Sequence, residues 1–490
     1  MTVSTDPGSG PGDKPATAPA LSRHVATRDD APATTDFEQP ALRTRRRGGV
    51  GPLGESRLTA WGLTSLLVTL YVINYADKAV LGIIAKPLRA ELGLSAAQIG
   101  LVGSLFFLTF TIGGFFAGLL NRWMTLRWSL VLLGLCWAVA MLPMIAVAAF
   151  AVLLVSRLVL GLAEGPSSAL LHTAAYAWHP PARRALPGAL LAGAASVAKI
   201  AIAPLLTLVT VHFGWRWALF SLAAAGLVWA AAWLASWRPG PYIAAGGTKA
   251  AKSSGTPGEN GSPAQTPADA EPATPWMKIL LSPTFVTGAL LVMSVYALVS
   301  VVLTWLPSYF EEGLGYSQLQ SGSMFAFPSI VGLALMLLSS VTSDRMISKG
   351  ASPRVLRIVV PAVGVLVSGV MLFLLPAISV PIACVVILSV GYGFATMVFP
   401  LLNAAVAEIC PPRQTAGTLG VFLAIMAFGG LVAPYATGVI VDHAAAPAEG
   451  YAIAFQVLGL VASVCAVLTL IFANPVRDRA RLRPHAVPTA

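Results

Sequence analysis

Charge is what this sequence has least of. Only 10% of its 490 residues are Asp, Glu, Lys or Arg, against roughly 25% in an average soluble domain. A chain this poor in charge and 56% hydrophobic is not patterned to fold in water. Cysteine is scarce as well. Cys136, Cys384, Cys410 and Cys465 sit in or beside apolar runs with no CxxC pair and no close histidine, which favours apolar packing over a metal site or disulfide. The six histidines are scattered, so no metal and no cofactor is expected. No nucleophile–base set or soluble catalytic domain appears, which argues against an enzyme. Residues 1–57 have no apolar core of the kind a signal peptide needs. Their Pro, Gly, Ala and Thr predict a disordered tail.

What is present is a series of apolar runs of about 20 residues or more, long enough to cross a hydrocarbon layer roughly 30 Å thick. Open sheets cannot span lipid, so the runs are helices. Twelve spans are expected, at about 60–86, 98–120, 128–149, 151–177, 185–211, 216–237, 284–309, 318–341, 355–376, 380–407, 414–440 and 451–473. The long internal polar stretch, 238–278, is rich in Gly, Pro, Ala, Ser and Thr and reads as a flexible linker. The expected organisation is a tail 1–57, a six-helix bundle 58–237, the linker 238–278, a second bundle 279–474 and a tail 475–490.

The formal charge of +11 invites a nucleic-acid reading. Its distribution excludes one. Of the 31 Lys and Arg, 25 fall on the N-terminal side of the alternating helices and 3 at the other side, so the basic excess is topological. Both termini are therefore expected in the cytoplasm, with anionic lipid of the cell (inner) membrane as neighbour.

The two halves repeat. Asn121-Arg122 answers to Asp344-Arg345, Pro180-Pro181 to Pro411-Pro412, and Ala203-Pro204 to Ala433-Pro434, at offsets of 223, 231 and 230 residues. An all-α membrane protein of two pseudo-symmetric six-helix bundles follows, with any ligand site between the bundles near mid-membrane.

An ionisable group inside a span costs at least ~2.5 kcal/mol and needs a partner or a use. Five stand out: Asp77 and Lys78 in the first span, Arg157 and Glu164 in the fourth, and Lys199 in the fifth. At 1.5 Å per residue, Asp77 lies roughly 24 Å from the inner end of its helix and Arg157 roughly 10 Å from the outer end of its own, so the two reach one level. Lys199 reaches it too, and an Asp77–Arg157 pair is feasible. Glu164 lies two turns from Arg157 on the same face. Tyr71, Tyr75 and Lys78 form one stripe with Asn74 on its edge. A polar stripe on an apolar helix is expected to face a cavity. With both acids ionised the five carry +1, and with both protonated +3, which suits an anion. Protonating Glu164 or Asp77 would free Arg157 or Lys78 for that anion, coupling proton to anion. The second half offers neutral candidates: Tyr296, Ser300 and Thr304 at four-residue spacing, and Asn403. Glu408 is expected to join an inner network with Arg413.

These residues resemble the major facilitator superfamily, and within it the anion:cation symporter family. The resemblance covers roughly 60–240 and 276–473. It is carried by Arg157-x6-Glu164-Gly165-x6-His172, by Trp178-His179-Pro180-Pro181, and by Asn74-Tyr75-Ala76-Asp77-Lys78. It implies a proton-coupled carrier of a small organic anion. Asp77 and Glu164 would handle protons. Lys78 would hold the substrate carboxylate and Arg157 would partner the acids; Tyr71, Asn74, Tyr75, Lys199, Tyr296 and Asn403, read from the spans themselves, complete the expected site. Arg122, Asp344, Arg345 and His172 would serve the inner gate, and a monomer suffices.

Four positions depart from the family pattern. Lys78 replaces an arginine, exchanging a bidentate clamp for a point charge. Asn121 stands where a loop acid is expected, Phe110 where many relatives have tyrosine, and Lys199 where a small residue is usual. Together they point to a carboxylate with an apolar or aromatic body rather than a polyhydroxy acid. A proton-driven drug exporter of the same fold remains the alternative, although Lys199-x-x-x-Ala203-Pro204 differs from the Gly-x-x-x-Gly-Pro string of such exporters and a cationic cavity repels cationic drugs. A membrane sensor without transport is a third class, with no domain to support it.

Overall fold

The computed structural model describes residues 57–179, 185–240, 274–411 and 414–484, without the side chains at 118, 121, 122, 185 and 416. Most of the N-terminal tail and of the linker, Pro180-Pro181, Pro412, Arg413 and the side chains of Asn121 and Arg122 lie outside the described residues.

Twelve helices long and apolar enough to cross a membrane are present among the described residues: α1 Arg57–Leu92, α2 Ala96–Phe115, α3 Leu126–Ala146, α4 Phe150–Tyr176, α5 Leu186–Phe213, α6 Trp215–Ser236, α7 Pro283–Gly313, α8 Gln318–Ile347, α9 Val355–Ala377, α10 Pro381–Ile409, α11 Gly417–His443 and α12 Pro447–Phe472. They form two six-helix bundles. Several ends differ from expectation by a few residues, among them that of α2, at Phe115. Helix α1 runs past Pro87 to Leu92, and α8 extends far enough to carry Asp344 and Arg345 on the helix rather than in the following loop.

The halves share a start signal that the three paired landmarks did not include. Gly93 and Gly315 take positive φ of 63° and 77°, two residues before Ser95 and Ser317. Each serine accepts a bond from the backbone N–H of a glutamine three residues on, Gln98 or Gln320, whose side chain bonds back to the serine N–H. These reciprocal caps satisfy donors that a helix start leaves open. The matched motif Gly-x-Ser-x-x-Gln begins both α2 and α8.

The bundles meet in the half of the molecule remote from the termini. Glycines let backbones touch there: a Cβ at Gly82 would stand 2.4 Å from the Leu303 carbonyl oxygen, and one at Gly100 2.3 Å from that of Pro434. Asp442 near the end of α11 accepts from Ala96 N at 2.8 Å and Ala97 N at 2.7 Å, capping α2 across the interface. Lys86–Glu311 at 3.4 Å and Arg89–Glu312 at 3.2 Å add ion pairs between α1 and α7.

The segment after α12 is more than a tail. Pro475–Leu482 is a helix whose start is capped by Asn474. Its Asp478 is buried and accepts from Thr284 N at 2.9 Å and from Thr284 Oγ1 at 2.7 Å, fastening it to the start of α7. At the same end His179 bonds Thr64 at 2.8 Å and packs on Trp61 at 4.8 Å, tying the end of α4 to α1.

Candidate functional site

Helix α1 presents its polar stripe inward. Tyr71 and Tyr75 pack with ring centroids 5.0 Å apart, and one turn on, Lys78 Nζ lies 4.6 Å from the Tyr75 ring centroid and 4.8 Å from that of Phe110 on α2. Such cation–π contacts partly replace the water an ammonium loses inside a membrane. The same Nζ donates to Asn74 Oδ1 at 2.5 Å and stands 3.0 Å from Glu164 Oε2. The side chains of this ion pair are 6% and 0% exposed.

The Asp77–Arg157 pair that their depths made feasible is not formed between side chains. Arg157 donates to the main-chain carbonyl of Asp77 at 2.9 Å, and the acid that closes an ion pair is Glu164, with Lys78. The physical reason is one of facing. Lys78 projects from α1 to Glu164, whereas Asp77, 100° round α1, presents its main-chain carbonyl to Arg157. Asp77, Arg157 and Glu164 are all buried. They form a layer behind the stripe, so Arg157 does not line the cavity.

That cavity has a volume of about 360 Å³ and is lined by both bundles. Lys78 and Tyr75 stand on one wall, Tyr296 on another, and Asn403 and Phe399 toward the end that carries the termini. Lys199 is brought in by α5. A π-turn at Ala198–Ile202 interrupts the α-helix there, an arrangement that often marks functional positions. Lys199 Nζ donates to Tyr392 Oη on α10 at 3.1 Å and lies 5.3 Å from that ring's centroid. Tyr392 went unnoticed in the sequence. The available signal was Gly391-Tyr392-Gly393, an aromatic hydroxyl flanked by small residues in an apolar run. Phe107, T-shaped against Tyr296 at 5.8 Å, was likewise indistinguishable from packing.

The other candidates stand apart. Ser300 and Thr304 donate to their own helix, to Ala297 and Ser300 carbonyls at 2.8 and 2.9 Å. His172 bonds Ser168 O at 2.8 Å within α4. Glu408 pairs with Arg357, which also reaches Asp344 at 3.9 Å. Arg413, the expected partner of Glu408, lies outside the described residues, as does the Arg122 side chain. Arg345 is exposed on α8.

Two six-helix bundles enclosing a charged, aromatic-lined cavity near mid-membrane define a membrane carrier rather than a catalyst. The sequence profile of the Major Facilitator Superfamily matches residues 67–398, more than half of the chain. The chain belongs to the Major Facilitator Superfamily. It is 25% identical over 414 residues to a hexuronate transporter of Bacillus subtilis (strain 168), covering 83% of this chain and 92% of that one. It is 27% identical over 422 residues to a probable sulfoacetate transporter of Cupriavidus necator, covering 84% and 93%. Among solved structures, a bacterial homolog of the human lysosomal transporter Spinster, inward-facing and occupied, superposes with a TM-score of 0.70 at 16% identity, over 88% of this chain and 99% of that one. A D-xylose–proton symporter gives 0.69 at 14% identity, over 85% and 99%.

Proposed function

We propose that this chain carries a small organic anion, a carboxylate, together with a proton across the cell membrane by alternating access. The observation that carries the reading is the buried Lys78–Glu164 pair at 3.0 Å, whose Lys78 stands on the cavity wall. An ionised Glu164 occupies Lys78. A proton on Glu164 removes the countercharge, and a carboxylate entering the cavity takes its place. Release of the anion leaves Lys78 bare, which favours loss of the proton and reclosure of the pair. Asp77, one turn from Asn74 and beside Arg157's anchor, is the second proton site. Similarity to transporters of hexuronate and sulfoacetate supports an anionic cargo.

Alternating access is supported by where the bundles touch. The described side-chain bonds between them lie at mid-membrane or beyond, among them Arg89–Glu312, Asp442 on α2, and Lys199–Tyr392. The cavity runs from Lys78 toward Asn403 and the termini. The distribution of Lys and Arg supports cytoplasmic termini, and hence a cavity open to the cytoplasm. The bundles are assigned to 58–237 and 279–474, with Asp344, Arg345, Arg122 and His172 at the cytoplasmic gate and the monomer as the working unit. Two lysines in the cavity count against export of cationic drugs.

The test is uptake into proteoliposomes. An inward proton gradient is expected to drive accumulation of an organic anion, and E164Q to abolish the gradient's effect while leaving exchange of anion for anion. Uptake that ignores both the gradient and the substitution would refute the proposal.

A further inference from the structure

Two ammonium groups face one cavity, and they differ in what neutralises them. Lys78 has a carboxylate at 3.0 Å. Lys199 is 8% exposed and bonds only to the neutral hydroxyl of Tyr392 among the described contacts. No carboxylate of the described residues stands within 4.0 Å of it. Arg157 belongs to neither wall, since it is buried against the Asp77 carbonyl. The titratable groups around Glu164 are Lys78 and Asp77 on α1, Arg157 on its own helix, and Tyr75 and Tyr296 across from it. Around Lys199 stands Tyr392, with Tyr75 and Tyr296 beyond.

We propose that the cavity is built for a dianion, an organic molecule with two acidic groups, one held by Lys78 once Glu164 has taken a proton and the other by Lys199. Lys199 then exchanges the Tyr392 hydroxyl for an anionic oxygen. This rests on the anion-carrier reading above and names the class of its cargo. Charge balance supports it. With Glu164 protonated, the empty cavity presents two ammonium groups without countercharge. A monoanion matches one and leaves the other uncompensated in a low-dielectric site. A dianion matches both. With Glu164 ionised, Lys78 is already paired at 3.0 Å, and a dianion held at Lys199 finds no free cation for its second acidic group. The proton thereby converts one-point into two-point binding. The π-turn at Ala198–Ile202 is the local device that turns Lys199 toward α10 and the cavity.

The test measures binding to the purified full-length protein of two matched pairs: glutarate against butyrate, and benzene-1,3-dicarboxylate against benzoate. All four are largely ionised above about pH 6.5. Each dicarboxylate is expected to bind about tenfold more tightly than its partner at about pH 6.5, the effect of one added charge-assisted contact. The ratio should shrink as the pH is raised far enough for an ionised Glu164 to compete for Lys78. K199Q should bring the ratio near one, and K199R should keep it. K199M carries the same expectation as K199Q should the latter not fold. In E164Q the ratio should persist over the same range. A ratio near one in the wild-type protein, a ratio that does not move with pH, or one that survives K199Q or K199M overturns the dianion proposal and leaves the anion carrier standing. Binding by none of the four probes overturns both.

Discussion

Replacing Glu164 by Gln removes a negative charge while keeping shape, and the geometry sets the consequence. Lys78 loses an ion-pair partner at 3.0 Å but keeps Asn74 Oδ1 at 2.5 Å and two aromatic faces within 4.8 Å. Deleting one member of a fully buried pair costs roughly 3–5 kcal/mol. Here Asn74 and the two rings still hold Lys78, so a loss of about 1–2 kcal/mol in stability is expected, and the protein should remain folded. The effect on binding has the opposite sign. At about pH 8 the wild-type protein must break the Lys78–Glu164 contact before Lys78 can hold an anion, and a charge-assisted bond is worth ~1.5–3 kcal/mol. E164Q has no such contact to break. It should therefore bind the best carboxylate of a thermal-shift panel at least about tenfold more tightly than wild type at that pH. Its affinity should vary less with pH than that of the wild type, which weakens as pH rises. Weaker binding by E164Q, or a pH dependence as steep as the wild type's, would refute the switch at Lys78.

Four further outcomes follow from the same geometry. D442A removes the two bonds that cap α2 from the opposite bundle, about 2 kcal/mol for a charged cap; thiol labelling of a cysteine placed at Ser104, whose hydroxyl now meets Tyr435 N at 3.0 Å, should rise, and unchanged labelling would contradict a closure held there. G100L places a side chain where even a Cβ meets the Pro434 carbonyl at 2.3 Å, so α2 and α11 cannot close and uptake should fall to background in folded protein; normal uptake would show that this approach is dispensable. D478A leaves Thr284 N and Oγ1 without their acceptor, and about 1–3 kcal/mol of stability should go with the transport of surviving protein intact; an unchanged melting temperature would deny the terminal helix its role. Tyr392→Phe frees Lys199 from its 3.1 Å partner and should alter anion affinity without altering the pH dependence set by Glu164, whereas a lost pH dependence would place the switch at Lys199.

The sequence made the helices and the charged helices legible for the same reason. In lipid, an apolar run has to be a helix and an ion has to be explained, so Asp77, Lys78, Arg157, Glu164 and Lys199 announced themselves. Their pairing was less legible. Helical rise fixes depth, but which acid meets which base depends on rotation, and a 100° step between Asp77 and Lys78 decides that Lys78 meets Glu164. Tyr392, Phe107 and Phe399 went unseen because an aromatic ring in an apolar helix looks the same facing a cavity as facing a core. The π-turn that aims Lys199 has no sequence mark beyond ordinary helix formers. The helix Pro475–Leu482 was hidden by its charges, since Arg477, Arg479 and Arg481 suggested a solvated tail and Asp478 gave no hint of burial against Thr284. The repeat, by contrast, runs deeper than the first three landmarks, as the caps at Ser95 and Ser317 demonstrate.

The most direct measurement is proton movement itself. Proteoliposomes holding a pH dye, with no gradient imposed, should acidify inside when an organic anion that binds the protein is added outside, and E164Q should carry anion by exchange with no pH change. Anion entry by the wild-type protein with a silent dye would contradict the coupling of proton to anion at Lys78 and Glu164.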